Sequence, residues 1–208
     1  RSYMSYIVPG LAMMSVITQS YQNSASSIMQ AKYLKFIEDI LIAPLSGLQV
    51  SLGYIIGGAM RGLICGLGIL IMCIILSEMP NAQGDFNINN WPLTILYLLT
   101  VSWTFSAFGV IIGIIAKSWD EIGSFSNFIF MPMTFLGGVF YSVNMLSEPW
   151  RTISYFNPIY WMINGLRYST LNIGEDLNLI SLFLCIGFSC LFTIIASYLF
   201  KTGYKIRS

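Results

Sequence analysis

Histidine is absent from this 208-residue chain, and charge is scarce. Without imidazole the chain lacks the side chain that most often serves as a base near neutral pH or as a metal ligand. Only 9% of residues are Asp, Glu, Lys or Arg, against about 25% in an average soluble domain. The formal net charge is +1, so no bulk field points to nucleic acid as a partner. The glycine-rich stretch 57–68 contains no Gly-Lys-Ser/Thr, so the phosphate loop that holds ATP in many hydrolases is missing. HExxH and GxSxG are missing too. The four cysteines, Cys65, Cys73, Cys185 and Cys190, form no CxxC pair. They sit in apolar surroundings and read as packing residues rather than as metal ligands or disulfides.

What the chain has instead is apolar length. Hydrophobic residues make up 56% of it, concentrated in five stretches at about 7–31, 52–76, 91–116, 122–141 and 177–200. A helix of about 20 apolar residues covers the roughly 30 Å hydrocarbon core of a bilayer. The pattern predicts an all-α, polytopic transmembrane protein in a single membrane domain over 1–208. Aromatic residues, 15% of the chain, suit belts at the membrane interfaces. Every acidic residue lies in a connector or at its edge. That argues against a membrane-embedded transferase, which needs convergent acid–base groups. It argues equally against an ion-coupled transporter, which buries ionisable groups in its spans.

Connectors alternate sides, so Lys and Arg orient them together. One set holds Lys32, Lys35, Lys117, Lys201, Lys205 and Arg207; the other holds Arg1, Arg151 and Arg167. The first set is expected in the cytoplasm, with the C-terminus. A further span before Arg1 would bring the count to six and put both ends in the cytoplasm.

The second half of the first stretch is unusually polar. Gln19, Asn23, Ser26/Ser27 and Gln30 recur at three- and four-residue steps, which places them on one helix face. Two readings stay open: hydrogen-bond glue between helices, or the lining of a translocation path. The connector at 33–47 carries Phe36, Ile37, Ile40 and Leu41 at helical spacing with Lys35, Glu38 and Asp39 on other faces, and ends at Pro44. It predicts a short amphipathic helix, lying in the headgroup plane or docking a cytoplasmic partner. The second stretch has GxxxG spacings at Gly53/Gly57, Gly58/Gly62 and Gly62/Gly66, which let helices approach closely. Arg61 interrupts it and is expected near the cytoplasmic end or beside a wet cavity, with snorkelling the simpler explanation. Residues 117–121 predict a tight hairpin turn. Pro132 and Gly137-Gly138 weaken the fourth stretch. The aromatic region 146–170, with Pro149, Asn157, Pro158 and Arg167, reads as re-entrant or interfacial helices on the outer side, hinged at Asn157-Pro158.

Four ordered segments carry a resemblance: 7–18 (IVPGLAMMSVIT), 37–44 (IEDILIAP), 132–142 (PMTFLGGVFYS) and 157–167 (NPIYWMINGLR). Together they resemble ABC-2-type exporter permeases, most closely the small bacterial inner-membrane ones with about six spans and a separately encoded ATPase. The resemblance covers essentially the whole chain; the family's N-terminal cytoplasmic helix and first span are not in it. It implies a homodimer of permeases in the lipid bilayer, paired with ATP-binding cassette subunits that bind the ATP; the permease itself carries no cofactor and is not an enzyme. It implies that 33–47 is the coupling helix, with Lys35, Glu38, Asp39 and Pro44 facing the ATPase, and that 146–170 is re-entrant at the outer face. Export of a bulky amphiphile (glycan, lipid or drug) across the cytoplasmic membrane follows as the expected function, with Gln19, Asn23 and Ser27 at the path or dimer interface. The alternative is an ATP-independent secondary transporter or channel. It would need internal repeats or a ring of charges, and neither is visible.

Overall fold

The computed structural model describes residues 3–79, 86–173 and 178–203. Arg1, Lys205 and Arg207 of the charge pattern, and Leu177 at the start of the fifth stretch, lie outside them. The described chain is helical: α1 (Tyr3–Tyr33), α2 (Phe36–Ile42), α3 (Gly47–Ser77), α4 (Trp91–Ile115), α5 (Trp119–Phe125), a π-helical turn (Ser126–Phe130), α6 (Met131–Leu136), a 3-10 turn (Val143–Met145), α7 (Glu148–Phe156), α8 (Pro158–Leu171) and α9 (Asn178–Thr202). Among the described residues, three segments are long and apolar enough to cross a membrane: Gly47–Ser77, Trp91–Ile115 and Leu179–Thr202. α1 equals α3 in length at 31 residues, but the amides and hydroxyls of its second half keep it more polar.

α4 is the axis of the bundle. It is buried along most of its length and packs against α1, α3, α8 and α9. α3 and α9 turn one face inward and leave Ile56, Ile64 and Met72, and Leu179, Phe183 and Ile194, exposed. Such apolar faces suit lipid, whose tails are as apolar as leucine.

Small residues set how closely the inner helices approach. Gly58, Gly62 and Gly66 of α3 lie against Ser24, Ser20 and Val16 of α1, where any Cβ would collide. On α4, a Cβ at Gly113 would come 3.0 Å from the Ala25 carbonyl oxygen. Gly53 and Gly57 face open space, so the GxxxG spacings divide: one set is used inside the subunit and the other stays free. Serines close the same seam. Ser24 and Ser106 hydroxyls are 2.6 Å apart, and Ser106 donates to the Ile55 carbonyl at 2.6 Å, which ties α1, α3 and α4 together. Trp103 Nε1 donates to Thr193 Oγ1 at 3.0 Å, and Ser51 and Ser197 hydroxyls meet at 2.8 Å, tying α9 to α4 and α3.

Helix ends follow their capping residues. Ser46 and Gln49 form a reciprocal capping box at the start of α3, the arrangement that satisfies two otherwise orphaned N–H groups. Asn90 and Ser118 accept from backbone N–H groups at the starts of α4 and α5.

The stretch 122–141 is not one straight span. It runs as α5, the π turn and α6, ending at Leu136. Pro132 has no N–H to give its preceding turn and crowds the carbonyl there, and the turn just before it is π-helical. The segment still climbs beside α1. The Tyr21 hydroxyl donates to the Ile122 carbonyl at 3.1 Å, and Val139 lies against Gly10.

The bundle has two distinct ends. One carries α2, the start of α3, and the ends of α4 and α9. The other carries the start of α1, α7 and α8, and the start of α4, where the N–H groups of Asn89 and Asn90 donate to the carbonyls of Thr170 and Ser169.

Candidate transport path and coupling surface

The polar half of α1 serves two purposes, and the side chains divide between them. Ser20 and Ser24 are buried in the seam with α3 and α4. Gln22 and Gln30 are exposed, and Gln19, Asn23, Ser26 and Ser27 are half-buried. The second group forms a polar edge running down the outside of an otherwise apolar bundle. Ser26 and Ser27 donate to the Asn23 carbonyl at 3.2 and 2.7 Å. Asn23 Oδ1 accepts from Arg61 Nη1 at 3.2 Å.

Arg61 lies near the midpoint of α3 and is exposed. The sequence predicts Arg61 near the cytoplasmic end or beside a wet cavity; the structure sets this cation against the polar edge of α1. A charge in mid-helix is stabilised by such a partner because the alternative is contact with hydrocarbon.

The polar edge opens at its lower end into a cleft of about 590 Å³. Ser27 and Gln30 line it from α1, Tyr54 from α3, and Phe36, Asp39 and Ile40 from α2. The sequence-predicted path and the sequence-predicted coupling helix thus meet in one concavity. Tyr54 had no sequence signal; an apolar tyrosine inside a hydrophobic run reads as an ordinary packing residue.

α2 itself is short and weakly embedded. Ile37 is its one buried residue, and Phe36, Glu38, Asp39 and Ile42 are exposed. Lys35 precedes it with a positive φ of 61°, and its carbonyl accepts from the Glu38 N–H at 3.4 Å. Pro44 follows, exposed. This helix of seven residues thus shows both an acidic pair and large apolar side chains to the outside.

At the other end, Asn157 bridges three elements. Its Oδ1 accepts from the Ile159 N–H at 3.0 Å, capping α8, and its Nδ2 donates to the Met133 carbonyl at the start of α6. Pro158 occupies the first position of α8, where its missing N–H costs nothing. Pro149 lies in the first turn of α7 and is exposed. α7 lies outside the bundle, whereas α8 is buried along Ile159, Met162, Ile163 and Leu166. Arg167 is 5% exposed. Its Nη1 donates to the Tyr6 hydroxyl at 3.0 Å and its Nη2 to the Gly138 carbonyl at 2.9 Å. The two groups of site residues thus occupy opposite ends of the molecule.

Lys32 is a residue whose role the sequence did not reveal. It counts toward the positive end of the bundle, yet its ammonium is committed. Nζ donates to the carbonyls of Gly113, Ile114 and Ala116 at 3.2, 2.8 and 2.8 Å. These are the last carbonyls of α4, where partial negative charge accumulates and a cation is favoured.

Apolar helices around a buried axis, several of them long enough to cross a bilayer among the described residues, define a multi-pass membrane protein. The chain belongs to the ABC-2 type transporter family, whose model matches residues 1–171. It is 40% identical over 208 residues, all of this chain and 78% of the relative, to the inner membrane transport permease YadH of Escherichia coli strain K12. The same values hold for YadH of Escherichia coli O157:H7 and of Shigella flexneri. It is therefore the transmembrane permease subunit of an ABC-2 type transporter, a class that works with ATP-binding subunits.

Proposed function

We propose that this permease exports a bulky or amphiphilic substrate (a glycan, lipid or drug) across a bacterial inner membrane as a homodimer. ATP hydrolysis by partner subunits drives the movement through α2. The observation that carries this reading is the cleft in which the polar edge of α1 meets α2. A movement of α2 there changes the wall of the path directly. Gln19, Asn23 and Ser27 would line or flank the path between two subunits, with Arg61 beside them. Lys35, Glu38, Asp39 and Pro44 would face the ATPase. The inner-membrane location draws support from the relatives' name.

Charge supports the orientation. Among the described residues, Lys32, Lys35, Lys117 and Lys201 lie at the α2 end and Arg151 and Arg167 at the α8 end, so α2 and the C-terminus belong in the cytoplasm.

The test is a cysteine at Asn23 in an otherwise cysteine-free chain, co-expressed with its ATP-binding subunit. Water-borne thiol reagents should reach it, and a bifunctional reagent should join two permeases through it, with yields that change on adding ATP. A cysteine there that is closed to water and to the second permease in every nucleotide state sinks the path assignment.

A further inference from the structure

Arg167 is the only charged side chain that is buried among the described residues. A guanidinium keeps its charge in any protein environment. It carries N–H donors on three nitrogens. Two of those nitrogens bond to neutral acceptors, the Tyr6 hydroxyl and the Gly138 carbonyl. The Tyr6 ring lies under the cation, 3.9 Å from Cζ to its centre. Nε is sealed from solvent without a hydrogen-bond partner. No described carboxylate pairs with the group. Buried charges are ordinarily paired, because an uncompensated one loses its hydration without return.

Next to this cation is a cavity of about 260 Å³. Arg167 lines it together with Tyr6, Ser142, Asn144, Tyr160 and Asn164. The other polar groups are hydroxyls and amides, each able to donate a hydrogen bond. Asn144 directs its Oδ1 to the Tyr155 hydroxyl at 3.2 Å, which leaves its NH₂ group as a donor. One fixed cation among neutral donors, with no acid among the described residues of the wall, is the chemistry that receives an oxyanion.

We propose that this cavity binds a phosphate-class oxyanion, with Arg167 as its counter-charge and Asn164, Asn144 and Ser142 as donors. The phosphate could belong to a lipid headgroup or be free in solution; the recognising chemistry is the same. The site stands independently of the export reading. Only its position at the outer face rests on the proposed orientation.

The purified permease, delipidated in detergent, is titrated with inorganic phosphate at constant ionic strength while its thermal unfolding midpoint is followed, with chloride as control. The expected result is a saturable rise, about 5 °C at a hundredfold excess over the dissociation constant, with no rise in chloride. Phosphatidylglycerol is titrated in a second arm. If it gives the rise and abolishes the later response to phosphate, the source is a lipid headgroup. If phosphate still acts on the permease in phosphatidylglycerol nanodiscs, the source is soluble. Arg167→Gln should lose the response. Asn164→Leu, which keeps Arg167 and fills the cavity, should also lose it while unfolding in chloride near the wild-type midpoint. A wild-type permease that responds to neither probe overturns the proposal, as does an Asn164→Leu permease that responds like wild type. None of these readings uses ATP or transport, so they fail or succeed separately from the exporter assignment.

Discussion

Arg61 on α3 donates from Nη1 to Asn23 Oδ1 on α1 at 3.2 Å, so a mid-helix cation and the polar edge of the neighbouring helix form one unit. Interhelical hydrogen bonds inside membranes average about 0.6 kcal/mol, and this one is half open to its surroundings. Asn23→Leu should therefore leave membrane insertion intact, as read by the amount of folded protein in isolated membranes. Transport should fall more than insertion does. In a cycle with Arg61→Gln, the double variant should lose less transport than the two single losses combined. Additive losses would show that the pair does not act as a unit.

The Lys32 ammonium holds the end of α4 through three carbonyls. Lys32→Met keeps the length of the side chain and removes the charge. Helix-end charges in partly buried sites contribute up to about 2 kcal/mol, so the detergent-solubilised variant should unfold roughly 4 °C lower. Scanning calorimetry or a thermal-shift assay reads this directly, and an unchanged midpoint would refute the capping role.

Gly62 and Gly57 each belong to a GxxxG spacing and have opposite surroundings. Gly62→Leu must push apart α1 and α3 at Ser20, and overpacking of this kind costs about 1–3 kcal/mol or more; the variant should accumulate poorly. Gly57→Leu should leave the subunit's thermal stability unchanged. If Gly57 belongs to the contact between permeases, its variant should weaken only the dimer, as light scattering would show.

Glu38 and Asp39 are exposed on α2. Reversing both to lysine should leave insertion and fold unchanged but abolish transport, and should remove the permease's stimulation of its partner's ATPase activity. Stimulation that survives the reversal would place the coupling contact elsewhere.

Ser147 and Glu148 are exposed at the start of α7. Single cysteines there, in a cysteine-free chain, should react with an impermeant thiol reagent added outside intact cells with opened outer membranes. Labelling only from the cytoplasmic side would invert the orientation.

The long apolar helices, the short α2 before Pro44, the hairpin turn near Ser118 and the break at Asn157-Pro158 are all local events. Each is written in a run of apolar residues, a cap or a proline, and each could be read from the chain. The allocation of small and polar residues was not legible. Ser20 and Gln19 are adjacent in sequence, yet one is sealed in a three-helix seam and the other edges the open side, because contact depends on where the neighbouring helix lies. The same holds for Gly58 against Gly57. Arg167 looked like a connector charge since its surroundings are polar and aromatic. Only the folding of α8 back among α1, α4 and α9 reveals it as buried.

The glycine and serine seam among α1, α3 and α4 has a mechanical consequence. Backbones held this near one another have no side-chain slack through which to slide, so the trio moves as a single block. Any rearrangement within a subunit must then come from parts outside that seam: the exposed α2, the α5–α6 segment with its wide π turn, and α7 at the opposite rim. If α2 is the coupling element proposed above, a stroke received there is delivered to the whole block at once, turning a push on seven residues into a displacement of the proposed wall.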